Sequence, residues 1–314
     1  MRDLEAGEAT AWPRILRVAG HVLLATMLFH VALLVLGFGP VTGPVSLRKP
    51  ATFAETGWLT AWSVALMLPR LKLRGWQRHA VGASVLLFTV GETAIMAIQA
   101  WRGVPSHYNF ATVFDAVLMR GGAGGLAGLF LVGVVILLTA TLRTEDLSPS
   151  VRLGFAGGLG VLLVGCLIGF VMISNMSGVF QGTVGAGFAR KQVGYVGPPP
   201  SVVGPEHLLL RLHTSGGDLV LLHAIGVHGL PLVSLPALFL SRRRLSERRR
   251  VQIVGTIAGG VALVMVVIAT QSFRSLPLGE MGPVRLGLLA ALAVVLAGTY
   301  GSMLRAGVPP RGKA

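Results

Sequence analysis

Leu245–Pro277 reads LSERRRVQIVGTIAGGVALVMVVIATQSFRSLP, and its three parts decide the fold. A basic run ends at Arg250, Val251–Thr270 then carries no charge, and Gln271, Arg274 and Pro277 close the stretch. A helix rises 1.5 Å per residue, so about twenty apolar residues cross the roughly 30 Å hydrocarbon core of a bilayer. The stretch therefore predicts a transmembrane helix with a basic end and a polar end. The same ruler laid along the chain gives eight segments: 15–37, 52–69, 80–100, 113–141, 153–173, 219–240, 251–270 and 284–304. The fourth exceeds one span, so Phe114–Arg120 is expected at the interface, with the membrane run beginning at Gly121.

Composition agrees. With 53% hydrophobic and 12% charged residues and a mean hydropathy of +0.73, the 314 residues carry more apolar surface than a soluble core could hide. The 43 glycines suit helices that pack backbone to backbone. A net charge of +15 would suggest nucleic acid in a soluble protein, but the 27 Lys and Arg lie mostly in short loops between spans, where they orient the chain and meet lipid. Nucleic acid is thus excluded as a partner. The single cysteine, Cys166, sits in an apolar run as a packing residue. No small-residue cleavage site follows the first apolar run, which is read as a retained helix.

A cytoplasmic N-terminus puts 18 Lys/Arg inside, including all six arginines of 242–250, and nine outside or near the outer ends. By the positive-inside rule both termini are cytoplasmic, as for a multi-pass protein of a bacterial inner membrane. An internal repeat links the outer ends of spans 3 and 7: Ala97-x-Gln99-x-x-Arg102-x-x-Pro105 matches Ala269-x-Gln271-x-x-Arg274-x-x-Pro277. Both copies leave the membrane in the same direction, which implies a parallel duplication of a four-helix unit, residues 1–145 and 146–314. The fold class is an all-α polytopic membrane protein of eight transmembrane helices. The loop 175–217, with Gly197-Pro-Pro-Pro200, is extracytoplasmic and irregular at its start.

Four of the eight histidines fall in PEHLLLRLHTSGGDLVLLHAIGVHGLP, 205–231. His207, Arg211 and His213 belong to a short amphipathic turn on the outer surface, and Asp218 is a plausible N-cap for span 6. His223 lies about one turn below the surface and His228 near mid-depth. Five residues apart is about 140° on a helix, so the two point at different neighbours. Gly226 and Gly229 share a face that admits another helix or a flat cofactor, and Pro231 is expected to bend the helix beside His228. Interhelical hydrogen bonding is the structural alternative for both histidines.

Glu92 lies near the centre of span 3 with Gln99 seven residues on, on the same face. An intramembrane carboxyl marks a functional site by default; its candidate partners are His30, His223 and His228. Arg102, His107 and Asp115 form an outer polar cluster beside Gln99, with Asn109 or Ser106 capping the helix that carries Asp115. Thr52-x-x-Glu55 reads as a capping box continued by a stripe of Thr56, Thr60 and Ser63, all structural. His21 and His79 are read as non-functional. No G-x-S-x-G, H-E-x-x-H, Walker A, GxGxxG after a strand or C-x-x-C-H occurs, and the lack of cysteine pairs excludes iron–sulfur ligation.

Three function classes follow. Histidines at outer depth on Gly-rich helices suit axial ligation of a b-type haem in a membrane redox protein, with His223 paired to His30 or His107, and His228, His213, Arg102 and Arg211 nearby. Quinone or other membrane subunits would be its partners, besides lipid. The four-plus-four parallel duplication with cytoplasmic termini is similar in architecture to haem A synthase. That likeness covers topology alone: the family's glutamate-histidine-arginine loop signature is not evident, and spans 4 and 8 carry no histidine. The second class is a transporter or non-catalytic subunit with Glu92 as proton relay and Arg102 and Arg211 receiving an anion. The third is an intramembrane lipid hydrolase in which His107, Asp115, His213, His223 and Glu92 hold zinc and activate water.

Overall fold

The computed structural model describes residues 2–43, 45–107, 109–174, 195–196, 217–274 and 276–307. Its elements are the helices α1 (Arg2–Val35), α2 (Arg48–Met67), α3 (Gly75–Trp101), α4 (Val113–Val117), α5 (Ala127–Arg143), α6 (Pro149–Ser174), α7 (Val220–Val227), α8 (Leu235–Leu240), α9 (Glu247–Ser272) and α10 (Pro283–Arg305). Two π-helical segments, Leu118–Leu126 and Leu230–Ser234, join α4 to α5 and α7 to α8. A two-residue antiparallel pair, Tyr195–Val196 with Gly217–Asp218, is the remaining regular structure.

Six helical runs are long and apolar enough to cross a membrane: Ala11–Val35, Gly75–Trp101, Val113–Arg143, Pro149–Met172, Glu247–Ser272 and Pro283–Arg305. The α7–α8 pair passes as a seventh if its two halves, bent by 47°, are taken together. The bend falls between Val227 and Leu230, beside Pro231, where a missing backbone N–H was expected to open the helix. Among the described residues α2, the expected span 52–69, is not among these runs. Its position explains its polarity: α2 packs on α1, α3 and the Leu230–Ser234 segment, and Ala54, Ala61, Ser63, Val64 and Met67 are buried. A helix so enclosed buries Thr60 and Ser63 and leaves Glu55 half-buried.

Helices α1, α2 and α3 pack on one another and α3 continues onto α5; likewise α6, α7–α8 and α9 pack together and α9 continues onto α10. One core is built from Leu16, Val64, Val85, Phe130, Phe155 and Leu162, with Phe88 and Phe130 stacked at 4.3 Å. The other takes Val161, Leu222, Val233, Val254, Ile257 and Met265, so α6 belongs to both. Outward faces are apolar: Val18, Val22 and Leu28 on α1, Val132 on α5, Leu167 on α6, Val266 on α9 and Val294 on α10 are all exposed. Exposed apolar faces on long helices are what a multi-pass membrane protein presents to lipid.

Polar groups pin the helices. Ser234 Oγ donates to the Gly154 carbonyl at 3.0 Å, Tyr300 Oη donates to the Leu232 carbonyl at 2.6 Å, and the Ser150 N–H donates to Glu247 Oε1 at 2.6 Å. Lys72 and Asp146 pair at 2.6 Å across the α2–α3 and α5–α6 turns, and the hydrogen bond and charge of Asp146 hold the exposed ammonium above its ordinary value.

Candidate functional site

The glycines of the bent helix decide what can approach it. A Cβ on Gly226 would strike the backbone of Gly165, and one on Gly229 would strike the Gly158 carbonyl and Leu162 N–H. The groove that the sequence offers to a helix or a flat cofactor is therefore filled by α6 at backbone contact. That approach fixes His223, whose Nδ1 lies 2.8 Å from the Gly165 carbonyl, while its ring lies over Gly169. A carbonyl can only accept, so Nδ1 carries the proton, and Nε2 keeps its lone pair with no hydrogen-bond partner among the described residues.

His228 turns to the opposite side. Its Nδ1 donates to the Ala224 carbonyl at 2.7 Å, and its Nε2 lies 3.0 Å from Glu55 Oε2, joining the bent helix to α2. The two side chains are 27% and 35% exposed, at the edge of the packed interior. Sequence reasoning passed over Glu55. Helix α2 begins at Arg48, not at Thr52, its N-cap residue Leu47 makes no side-chain bond, and Thr52 donates to the Lys49 carbonyl within the helix. The capping-box assignment is thus wrong, and Glu55 lies two turns inside. The signal that could have found it is the carboxyl itself, since the charged and proline-bearing Arg48-Lys49-Pro50 marks an earlier start.

Glu92 is buried and its Oε1 has no hydrogen-bond partner among the described residues. It meets none of the three histidines expected. His228 goes to Glu55, His223 to Gly165, and buried His30 is engaged at both nitrogens, by the Thr26 carbonyl (2.8 Å) and by the Trp101 indole N–H (3.3 Å). By helical rise, Glu55, His228 and Glu92 lie about 10–14 Å inside the Arg48, Val220 and Trp101 ends of α2, α7 and α3.

Of the expected cluster, Arg102 and Asp115 meet at Gln99, two turns along α3 from Glu92. Gln99 Nε2 donates to Asp115 Oδ1 at 2.8 Å, and Arg102 Nη1 donates to Asp115 Oδ1 at 2.7 Å and to Gln99 Oε1. Asp115 is also locked by Thr112, whose hydroxyl donates to Oδ2 at 2.7 Å and accepts from the Asp115 N–H. Thr112, not Asn109 or Ser106, is the N-cap; Asn109 Oδ1 instead accepts from the Ala111 N–H. His107 packs against Phe53, and its Nδ1 lies 3.3 Å from Ser106 Oγ. The second repeat copy holds its glutamine differently: buried Gln271 donates to the Pro277 carbonyl at 2.8 Å and accepts from Arg285 at 2.5 Å.

His207, Arg211 and His213 lie outside the described residues, as does all but the two short strands of the loop 175–217. Asp218 falls in the second strand, and Leu219 takes the N-cap position of α7. His21 packs edge-on against Trp62 and His79 against Trp12. Among the described residues no three of His, Cys, Asp and Glu converge as metal ligands. The chain matches no protein-family model, no curated protein and no solved structure.

Proposed function

We propose that this chain is a multi-pass inner-membrane transporter, bacterial in type, in which Glu92 and the Glu55–His228 pair relay protons across the membrane. The observation that carries the reading is the 3.0 Å contact between His228 Nε2 and Glu55 Oε2. With Nδ1 committed to a carbonyl, the pair shares one proton: imidazolium donates to carboxylate, or carboxylic acid donates to imidazole. Either arrangement keeps the hydrogen bond, so the proton changes owner without a backbone movement. Glu92, with an unbonded oxygen beneath the Gln99–Arg102–Asp115 cluster, is a second acceptor at similar depth. Buried polar atoms normally find partners, and one left open inside a span favours a role in proton or ion passage.

In the same reading the chain is a parallel duplication of a four-helix unit, which would place a site of this kind between its halves. The 172-position offset that aligns Gln99 with Gln271 also lays α2 on the bent 220–240 run and α3 on α9. It aligns Glu55 with Val227, one residue from His228. Two equivalent helices packed across a two-fold axis meet at equivalent positions, so the pair lies where such an axis would pass. Protein in lipid bilayers, titrated while the infrared carbonyl stretch of protonated carboxyls is recorded, tests the reading. A titrating band should be present, reduced in Glu92→Gln and in Glu55→Gln; a wild-type spectrum without one contradicts the relay.

One observation favours the b-type haem reading instead. His223 is held as ligating histidines are, with Nδ1–H on a carbonyl and Nε2 left open. Bound haem would supply one-electron chemistry, and His223 Nε2 would be the nitrogen to hold it; the Nε2 atoms of His30 and His228 are already engaged. A Soret band in the purified protein that is lost in His223→Ala would move the assignment to that class.

A further inference from the structure

The most basic segment of the chain, Arg242–Arg250, turns between α8 and α9 at the end of the molecule opposite the polar site. Beside it a groove of about 430 Å³ opens between α9 and α10. Its floor is apolar, from Leu245, Ile253, Ala297, Gly298 and Gly301, and a Cβ on Gly298 or Gly301 would meet nothing. Arg249 from the start of α9 and Arg305 from the last turn of α10 line its rim. Both are exposed, and neither guanidinium has a partner among the described residues, whereas neighbouring Arg250 is paired with Glu247 at 3.2 Å. The two helices are tied beside it by the Arg244 N–H, which donates to the Gly307 carbonyl at 3.1 Å.

Two unpaired guanidiniums from different helices over an apolar cleft match one molecule in shape and charge: a headgroup phosphate above, an acyl chain below. We propose that this groove binds an anionic phospholipid, with Arg249 and Arg305 on its phosphate and the chain lying against Ile253, Ala297 and Gly298. The site rests on the multi-pass arrangement and is independent of the proton relay.

The test measures binding of phosphatidylglycerol, phosphatidylcholine and inorganic phosphate to the full chain in neutral detergent by native mass spectrometry. Phosphatidylglycerol should be retained, and the others not. At about 1 kcal/mol for each basic residue near an anionic lipid surface, R249A/R305A should weaken retention about thirty-fold. R244A/R248A removes the same charge from outside the groove and should change it less than three-fold, while Gly298→Leu should displace the chain with both arginines present. Circular dichroism verifies that each variant is folded. Equal retention of phosphatidylcholine, competition by free phosphate, or equal losses in the two double variants would overturn the site. None of these results bears on the carboxyl titration of Glu92, so this site and the relay stand or fall separately.

Discussion

Removing the Glu55–His228 contact is the perturbation whose size the structure fixes best. A hydrogen bond to a charged group contributes about 1.5–3 kcal/mol, and a fully exposed ion pair about 0–1 kcal/mol. The pair, 3.0 Å apart and roughly a third exposed, falls between these, and a coupling of about 1–2 kcal/mol is expected. A double-mutant cycle isolates it: Glu55→Gln, His228→Ala and the double variant, unfolded at equilibrium in mixed micelles. Each single variant also leaves a half-buried partner alone, so each should cost more than the coupling, and the double variant less than their sum. The helices are otherwise joined by Leu230 and its neighbours, so the fold itself should survive. Additive effects within about 0.3 kcal/mol would refute the contact as an interaction of consequence.

Three further outcomes follow from the packing. Gly226→Ala drives a methyl into the Gly165 backbone and should destabilise by about 1–3 kcal/mol in the same assay, as overpacking does, while Gly255→Ala, with Leu153 at ordinary contact distance, should be near neutral. Gln271→Ala removes the partner of Arg285 and of the Pro277 carbonyl and should cost about 1–3 kcal/mol, read as a lowered unfolding midpoint. Glu92→Gln keeps the shape and removes a chargeable group from a buried site, so stability should be unchanged or raised; a loss above about 2 kcal/mol would mean that Glu92 is a structural ion-pair member.

What the sequence could disclose followed from periodicity and hydropathy. The Gln99–Arg102–Asp115 contacts and the bend at Pro231 depend on a few neighbouring positions, and they formed. Glu55 was missed through a boundary. Starting α2 four residues late turned an inner carboxyl into a first-turn cap, because T-x-x-E has the same spelling in both places. The partner of His228 was beyond reach for another reason: the contact joins residues 173 positions apart, and only the packing of α6 against Gly226 and Gly229 settles which way the imidazole faces. Likewise Gly165 shares no local pattern with His223.

Proton entry into liposomes is the direct test of the relay. The purified chain is reconstituted with a trapped pH-sensitive dye, and a potassium diffusion potential, inside negative, is imposed with valinomycin. The account predicts acidification faster than in protein-free liposomes, reduced at least ten-fold in Glu55→Gln and in Glu92→Gln while His30→Ala leaves it intact. Wild-type liposomes that acidify no faster than empty ones, or carboxyl variants that match wild type, would contradict it.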